Sequence, residues 1–343
     1  MSDLHIRIEG NAGCITLNRP EALNAMTYDQ CLAIEAALDD WNDRVDLVIL
    51  DAVGERAFCA GGDIADLYEA SKTGDPSYSR QFWRDEYRLN AKIAAYPRPI
   101  VTFLQGFTMG GGVGLGCHAS HRIVGDSSRI AMPECSIGLV PDIGGSWILA
   151  NAPGHLGRYL AVTGDRMGPA DAIYAGFADH FLPEDRWDGL KEKLKSGLSP
   201  DAISEESLAP EGGRLMALRA TIDALFDTTS LQVVSERLRS TDAEIAFQAS
   251  RAMSRNAPLA MAATLRILER MADASGIEDA LDQEFRYTSR AVEQGDFIEG
   301  IRALIIDKDK APKWAYHTAA DVPSAKVEEM LAPLPDNVQN WRD

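Results

Sequence analysis

The chain has 343 residues, of which 45% are hydrophobic and 25% are charged, an ordinary composition for a globular protein of one large or two smaller domains. Its net charge of −18 argues against a general binder of nucleic acid or of anionic membranes, because both favour a positive protein surface. The five cysteines have no Cys-x-x-Cys spacing, so neither a zinc site nor a disulfide framework is indicated. With no signal or transit features at the amino terminus, we expect a cytoplasmic protein with no nucleic-acid or membrane partner.

The first half of the chain alternates predicted strands and helices. Two short apolar segments around Gly10–Gly13 predict a β-hairpin. Thr27 and Gln30 have the spacing of a capping box and predict the start of a helix. Nearly continuous apolar runs at 45–50 and 100–104 predict strands that are covered on both faces. This alternation predicts an α/β fold with largely parallel strands.

The second half of the chain has a different pattern. A polar stretch with several Pro and Gly at 198–213 predicts a connector. Beyond it, apolar residues recur only with helical spacing, and Thr241 with Glu244 predicts a second capping box. We therefore expect an α/β core over residues 1–200 that contains the active site. A mainly helical C-terminal region over residues 201–343 would pack on this core.

Two glycine-rich loops follow predicted strands, at Ala60–Asp63 and at Met109–Gly112. Glycine lets backbone N–H groups approach a ligand closely, and a helix that begins after each loop adds a positive dipole end. Two such N–H groups directed at one point form an oxyanion hole, which stabilises the oxyanion of a reacting carbonyl. Either loop taken alone is better explained as a tight turn.

Other ligand-binding and catalytic motifs do not fit the sequence. The chain has no Gly-x-x-x-x-Gly-Lys-Ser/Thr motif and no His-Glu-x-x-His motif. The Gly110–Gly116 run has Leu115 and Cys117 at the last-glycine positions of a dinucleotide-binding loop. A serine-hydrolase elbow at Ser146 fails because Ile148 stands where glycine is required.

Two carboxylates, Glu134 and Asp142, lie in the otherwise apolar segment Met132–Gly145, which is rich in Gly and Pro. Apolar surroundings perturb the ionisation of a carboxylate, and active sites use that effect. On this segment alone, however, the better explanation is that Glu134 lies in a loop and Asp142 caps a short helix.

Taken together, the segments resemble the crotonase (enoyl-CoA hydratase/isomerase) superfamily. The resemblance is carried by three motifs in order, Phe58–Ile64, Gly106–Gly112 and Met132–Glu134, and Leu17–Met26 is similar to the first loop of that family. It extends from about residue 4 to residue 314. It implies a crotonase fold of repeated ββα units with a helical C-terminal region, and an acyl-CoA thioester as substrate.

The resemblance also implies roles for backbone groups in the two glycine-rich loops. The N–H groups of Gly62 and Gly111 would polarise the thioester carbonyl. The backbone around the first loop would contact the adenine of CoA, through Ala60, Gly61, Asp63 and Ile64. Enoyl-CoA hydratases carry a second glutamate where this chain has Gly114, which argues against straightforward hydration of a double bond.

Asp142, Glu86 and the segment Asp296–Trp314 resemble the 3-hydroxyisobutyryl-CoA hydrolase branch of the superfamily. The resemblance implies that Glu134 attacks the thioester or activates water, and that Asp142 accepts a hydrogen bond from the 3-hydroxyl group. Glu86 would shape the same pocket. The implied reaction is hydrolysis of 3-hydroxyisobutyryl-CoA to 3-hydroxyisobutyrate and free CoA, in valine catabolism. It needs no metal and no cofactor, since CoA is part of the substrate.

Several alternatives stay open from the sequence. One is an enoyl-CoA hydratase, an isomerase or another short-chain acyl-CoA hydrolase on the same scaffold. A remote one is an acyl-CoA-binding protein without catalytic activity. The sequence also leaves open the choice between 3-hydroxyisobutyryl and 3-hydroxypropionyl groups, since a single methylene contributes little discrimination. A homo-oligomer is compatible with the family but is not determined by the sequence.

Overall fold

A computed structural model describes residues 2–72, 75–335 and 337–342. The chain divides into two compact units that each combine three segments. Unit 1 comprises the chain up to Asp63 together with Leu89–Ala131 and Arg166–Met216. Unit 2 comprises Ile64–Arg88 and Met132–Asp165, together with the chain from Ala217 onward.

The secondary structure alternates strands and helices early in the chain and becomes helical later. The strands are β1 (Leu4–Glu9), β2 (Ala12–Leu17), β3 (Leu47–Ala52), β4 (Ala57–Cys59), β5 (Ile100–Phe103), β6 (Phe107–Met109), β7 (His121–Val124), β8 (Arg129–Ala131) and β9 (His180–Phe181). The helices are α1 (Tyr28–Trp41), α2 (Ala65–Ser71), α3 (Ser77–Ala94), α4 (Gly111–Gly116), α5 (Gly145–Asn151), α6 (Leu156–Thr163), α7 (Pro169–Tyr174), α8 (Trp187–Lys195), α9 (Ile203–Glu206), α10 (Leu215–Phe226), α11 (Leu231–Ser240), α12 (Glu244–Met253), α13 (Pro258–Arg270), α14 (Ile277–Gln294), α15 (Phe297–Ile301) and α16 (Ser324–Met330).

Unit 1 is built on two sheets. In the described residues, the larger sheet has the strand order β1-β2-β3-β5-β7-β9 and the smaller sheet has the order β4-β6-β8. β1 and β2 form the predicted antiparallel hairpin, and every other pairing between these strands is parallel. The prediction of an α/β fold with largely parallel strands is therefore confirmed.

The two sheets share a repeated connection. The first strands of three successive pairs, β3, β5 and β7, are neighbours in the larger sheet, and the second strands, β4, β6 and β8, are neighbours in the smaller one. Helices α2 and α4 follow the first two pairs along the chain. This is the repeated ββα arrangement that the resemblance to the crotonase superfamily implies. Because β4, β6 and β8 are parallel, their carboxyl ends lie at one edge of the smaller sheet.

The core of unit 1 lies between the larger sheet and α8. It contains apolar side chains from β2, β3, β5 and β7, and the ring of Phe103 lies 5.3 Å from that of Trp187. Burial of each large apolar side chain contributes about 1.5–3 kcal/mol, so this core is the main stabilising element of the sheet. At the start of α1, Thr27 and Gln30 form the predicted capping box.

Unit 2 is mainly helical. The capping box predicted for Thr241 and Glu244 in this unit is wrong. α12 begins at Glu244 and is preceded by the extended residue Ala243, which provides no side-chain cap. Thr241 instead ends α11 in an extended conformation. A capping box requires the Thr to be the residue directly before the first helical turn, and two residues intervene here. Among the described residues, no helix is long and apolar enough to cross a bilayer.

Candidate active site

The two glycine-rich loops begin at the same edge of the smaller sheet in unit 1. β4 and β6 pair in parallel with Ala57 opposite Phe107 and Cys59 opposite Thr108. The loop after β4 contains Gly62, and the loop after β6 leads to Gly111, the first residue of α4. The parallel pairing therefore brings the two predicted donor loops to one edge.

The N–H of Gly62 is not used by the β-bridge in which the residue takes part. Gly62 bridges Met26 in parallel. The two hydrogen bonds run from Met26 N to the carbonyl of Gly61 over 2.9 Å, and from Asp63 N to the carbonyl of Met26 over 2.8 Å. In a parallel bridge the flanking residues make both bonds, so the N–H of Gly62 points away from this partner.

The N–H of Gly111 lies at the start of a helix, α4. The first N–H groups of an α-helix have no acceptor within the helix. The next residue, Gly112, approaches the end of β4 so closely that a Cβ there would lie 2.1 Å from the carbonyl oxygen of Cys59. A Cβ at Gly61 would lie 3.6 Å from the carbonyl oxygen of Met109. Close packing of the loops thus depends on glycine at position 112.

The other residues of the first loop are fixed by local hydrogen bonds. Ala60 N donates to the carbonyl of Leu23 over 3.1 Å, and Asp63 accepts a hydrogen bond from Arg19 Nη2 over 3.1 Å. Ile64 belongs to unit 2, where it precedes α2 and its carbonyl accepts from Tyr68 N. The predicted contact of this segment with adenine stays a prediction.

Unit 2 contains a cluster of four buried carboxyl groups, the carboxylate cluster. Three of them are the predicted residues Glu86, Glu134 and Asp142, and the fourth is Glu284. Glu86 lies on α3 and Glu284 on α14, Glu134 begins a 3-10 turn, and Asp142 lies in the turn before α5. Their exposed fractions are 0–4%.

Burial raises the pKa values of all four carboxyl groups, and repulsion by neighbouring carboxylates raises those of Glu86, Glu134 and Glu284 further. Burial raises the pKa of Glu86 and of Glu134 well above the ordinary value, and the charge of Asp142 raises both further. Burial also raises the pKa of Glu284 to about 8 and that of Asp142 to about 7. Such interaction requires short separations, so the structure brings the three predicted carboxylates together.

Glu134 differs from Asp142 and Glu284 in its hydrogen bonding. Among the described residues, no other residue forms a hydrogen bond with either of its carboxyl oxygens, although both are buried. An unpaired buried carboxyl is costly for folding, and groups with perturbed pKa values concentrate at functional sites. The structure therefore leaves Glu134 available for chemistry.

Asp142 is held by a side chain that the sequence analysis did not select. The hydroxyl group of Tyr87 donates to Asp142 Oδ2 over 2.9 Å and lies 3.4 Å from Thr288 Oγ1. This hydrogen bond opposes the effect of burial and lowers the pKa of Asp142. In the sequence, Tyr87 stands among apolar residues of a helix face and gives no signal of this contact.

Glu284 is the other residue that the sequence analysis missed, although a signal existed. It continues the stripe formed by Ile277, Leu281 and Thr288, with spacings of four, three and four residues. A carboxylate on an apolar stripe must be buried with partners or lie at a functional site. In the part of the chain that the structure describes, no three His, Cys, Asp or Glu side chains are arranged as metal ligands.

Comparison with known proteins shows the family to which the chain belongs. The family model for enoyl-CoA hydratase/isomerase matches residues 12–331. The chain belongs to this family, as its motifs predict.

Two curated relatives of the chain share one name. The zebrafish (Danio rerio) protein is 37% identical over 95% of this chain and 88% of its own length, and the human (Homo sapiens) protein is 34% identical over 89% and 82%. Both are named 3-hydroxyisobutyryl-CoA hydrolase, mitochondrial.

Two solved structures have the same fold over nearly their whole length. One, described as an enoyl-CoA hydratase from Rhodobacter sphaeroides 2.4.1, has a TM-score of 0.93 and 52% identity, and covers 97% of this chain and 98% of its own. The other, described as a carnitinyl-CoA dehydratase from Mycobacterium thermoresistibile, has a TM-score of 0.93 and 37% identity, with 99% of both chains covered. The predicted crotonase fold is confirmed.

Proposed function

We propose that this chain hydrolyses the thioester of 3-hydroxyisobutyryl-CoA to 3-hydroxyisobutyrate and free CoA. The observation that carries the proposal is the buried Glu134, which accepts no hydrogen bond from any other described residue and lies in one cluster with Asp142. Curated relatives that are 33–37% identical and bear the name of this activity support it.

The backbone donors have the first role in this proposal. The N–H groups of Gly62 and Gly111 donate hydrogen bonds to the thioester oxygen and stabilise the negative charge that develops on it. Loss of one such donor typically lowers the rate by about 10²–10³-fold. The backbone at Ala60–Ile64 contacts the adenine of CoA.

Glu134 performs the bond-forming step. In its ionised form, one carboxylate oxygen attacks the thioester carbonyl carbon, the C–S bond breaks, and the CoA thiolate leaves and takes up a proton. Water then opens the mixed anhydride to release the acid and restore the Glu134 carboxylate. If water attacks the Glu134 carbon, a single turnover in oxygen-18 water places the label in the Glu134 carboxylate. An unlabelled Glu134 would count against attack of water on the Glu134 carbon and would agree with attack on the acyl carbon of the anhydride or with direct activation of water, both of which give the same products.

Asp142 recognises the acyl group. It accepts a hydrogen bond from the 3-hydroxyl group, while Glu86 shapes the same pocket from α3. A site that pairs with a substrate hydroxyl rejects analogues that lack it, because its own buried polar group is then left unpaired. The proposal therefore predicts a strong preference for 3-hydroxyacyl thioesters.

Hydration of an enoyl-CoA is the second candidate, because the 52% identical solved structure is described as an enoyl-CoA hydratase. Against it stands Gly114, a buried residue of α4 at the position where hydratases carry a second glutamate. Glycine has no side chain to hold or activate water. Thioester hydrolysis requires only one carboxylate in addition to the backbone donors.

We also propose that the reaction needs no metal and no cofactor apart from the CoA of the substrate, since a carboxylate, backbone donors and water supply every step.

We further propose that the protein is cytoplasmic. The five cysteines are buried, and none has the spacing of a disulfide framework, which suits a reducing compartment. The names of the curated relatives, in contrast, specify mitochondria for those proteins.

The test is thiol release from 3-hydroxyisobutyryl-CoA and from isobutyryl-CoA, which differs only by the missing hydroxyl group. We expect kcat/KM to be at least about a hundredfold higher for the hydroxylated substrate. Asp142→Asn should remove most of this preference. Asp188→Asn is the matched control, because Asp188 is 99% exposed on α8. Equal kcat/KM values for the two substrates in the unmodified protein would contradict the proposal.

A further inference from the structure

The turn that carries Asp142 adopts an unfavourable backbone conformation. Ile143 has φ of 56° and Gly144 has φ of 77°, so both lie in the left-handed region. For glycine this is ordinary, but a β-branched residue such as isoleucine rarely adopts it. Gly145 N closes the turn with a hydrogen bond to the carbonyl of Asp142 over 2.7 Å. Such a conformation persists only when surrounding contacts hold it in place.

Glu284 provides these contacts from α14, a helix that is far away in the sequence. Its Oε2 accepts a hydrogen bond from Gly144 N over 2.8 Å, and its Oε1 accepts one from Ser146 N over 3.0 Å. The hydroxyl group of Ser146 also donates to Oε1. In its ionised form, this fully buried carboxyl group thus accepts hydrogen bonds from three donors, all in residues that follow the strained position.

Asp142 is therefore held at two points. Glu284 fixes the backbone of the turn, while Tyr87 fixes the side chain by donating to Oδ2. With Oδ2 engaged, the other carboxylate oxygen, Oδ1, is the one assigned to the substrate hydroxyl. The direction in which Oδ1 points then depends on the turn that Glu284 holds.

We infer that Glu284 is a positioning residue, which orients Asp142 for recognition of the substrate's 3-hydroxyl group by clamping the backbone of residues 143–146. This inference rests on the role of Asp142 under the proposed function. Glu284 does not touch the substrate in this account, and its effect reaches the reaction only through Asp142.

Glu284→Gln is the most informative substitution. It keeps the volume of the side chain but replaces one accepting oxygen by an NH2 group, which donates and cannot accept from Gly144 N or Ser146 N. The turn then loses at least one hydrogen bond while the packing of α14 is preserved. Glu284→Ala would lose the same hydrogen bonds and also create a cavity, so the two effects could not be separated.

The experiment compares the unmodified protein, Glu284→Gln, Asp142→Asn and the double variant. Thiol release is measured with 3-hydroxyisobutyryl-CoA and with isobutyryl-CoA, and the readout is the ratio of the two kcat/KM values. We expect Glu284→Gln to lower this ratio about tenfold, chiefly through the hydroxylated substrate. The double variant should have the ratio of Asp142→Asn alone, because one residue acts through the other.

The matched control is Glu293→Gln, the same change in the last turn of α14. Glu293 is 42% exposed and pairs with Arg80. We expect its ratio to equal that of the unmodified protein. Thermal unfolding of every variant shows whether a lost ratio accompanies a lost fold, since general unfolding lowers activity on both substrates alike.

If Glu284→Gln does not fold, Ser146→Ala and Tyr87→Phe replace it. Ser146→Ala removes one of the three donors, and Tyr87→Phe removes the second point of attachment. We expect each to lower the ratio about threefold to tenfold, and an unchanged ratio in folded Ser146→Ala would overturn the inference whatever the result for Tyr87→Phe.

Two results separate the inference from the function on which it rests. A ratio that is lost in Asp142→Asn but retained in folded Glu284→Gln would overturn the positioning role and leave the proposed function intact. An unmodified protein with no preference for the hydroxylated substrate would overturn the role of Asp142, and the inference with it.

Discussion

The two units supply polar groups of different kinds. Unit 1 offers backbone N–H groups, at Gly62 and Gly111, whose positions follow from the pairing of β4 with β6. Unit 2 offers side chains, the carboxylate cluster, whose properties depend on burial and on one another. The first kind needs the absence of side chains, and the second needs particular side chains with particular partners.

Because of this difference, substitutions in the two units impair the protein in different ways. In unit 1 an added methyl group causes a steric clash, so the damage is geometric. In unit 2 a carboxyl-to-amide change keeps the shape and removes charge, so the damage is electrostatic. Substitutions that separate these two effects test whether the comparison is correct.

The largest effect is expected from Glu134→Gln, which removes the reacting carboxylate. Thiol release from 3-hydroxyisobutyryl-CoA should fall by about 10²–10⁴-fold, the usual contribution of such a group. The fold should be retained, because the side chain keeps its volume. Rapid kinetic assays and thermal unfolding measure the two properties. Substantial activity in this variant would show that another group performs the attack.

Gly112→Ala tests the effect of a steric clash on the backbone donors of unit 1. The added Cβ would lie 2.1 Å from the carbonyl oxygen of Cys59, so the start of α4 must shift and move the N–H of Gly111. We expect a loss of about 10²-fold in kcat, as for a missing oxyanion donor. Gly189→Ala is the control, because a Cβ at that position in α8 has no atom within 4 Å.

The control substitution Gly189→Ala is itself expected to change the stability of the protein slightly. Alanine is favoured over glycine within a helix by roughly 0.5–1 kcal/mol, so Gly189→Ala should be slightly more stable and fully active. Full activity in Gly112→Ala as well would contradict the account of the loop, since the clash would then have no effect on the donors.

Tyr87→Phe tests the electrostatic effect in unit 2, and we expect it to lower activity less than Glu134→Gln or Gly112→Ala does. It removes the hydrogen bond that lowers the pKa of Asp142, so that pKa rises further above its ordinary value. A hydrogen bond to a charged group contributes about 1.5–3 kcal/mol, which corresponds to a shift of about one to two pH units in the kcat/KM profile. At pH 7 we expect roughly tenfold lower kcat/KM.

Tyr96→Phe is its matched control, since the Tyr96 hydroxyl group donates to the backbone carbonyl of Leu38 in unit 1. Its pH profile should coincide with that of the unmodified protein. If both tyrosine variants shift the profile equally, the shift does not report on Asp142.

The smallest effect concerns the pH dependence of stability. The pKa of Asp142 is raised to about 7 and that of Glu284 to about 8, whereas in the unfolded chain both lie near 4. Between pH 4 and 8 the folded state thus retains protons that the unfolded state releases. The free energy of unfolding should therefore be highest below pH 4 for these groups and fall as the pH rises toward 8.

Glu134→Gln should make this fall shallower, because it removes a buried carboxyl with a raised pKa. At pH 8 the variant should be more stable than the unmodified protein, by a few degrees in Tm. Denaturant unfolding at several pH values measures both effects. A steeper fall in the variant would contradict the assignment of a raised pKa to Glu134.

Sequence reasoning predicted the backbone part of the molecule better than the side-chain network. The glycine loops, the Thr27 cap and the parallel strands follow from short-range patterns that a single sequence displays. The family motifs also selected Glu134 and Asp142. The Thr241 cap was wrong because spacing alone does not show where a helix begins.

Glu284 and Tyr87 were missed for a different physical reason. Each contacts the Asp142 turn from a distant segment of the chain, and the contact depends on how helices pack rather than on local spacing. A carboxylate on the apolar stripe of α14 was the one available sign of Glu284. Tyr87 had no comparable sign, since a buried tyrosine on a helix face is ordinary in a protein core.

The most direct test of the account is to measure thiol release from 3-hydroxyisobutyryl-CoA alongside hydration of crotonyl-CoA, with the unmodified protein and Glu134→Gln. The account predicts rapid thiol release that is lost in the variant, with no hydration by either protein, because Gly114 cannot supply the second carboxylate. Hydration of crotonyl-CoA without thiol release would contradict it and identify the chain as a hydratase.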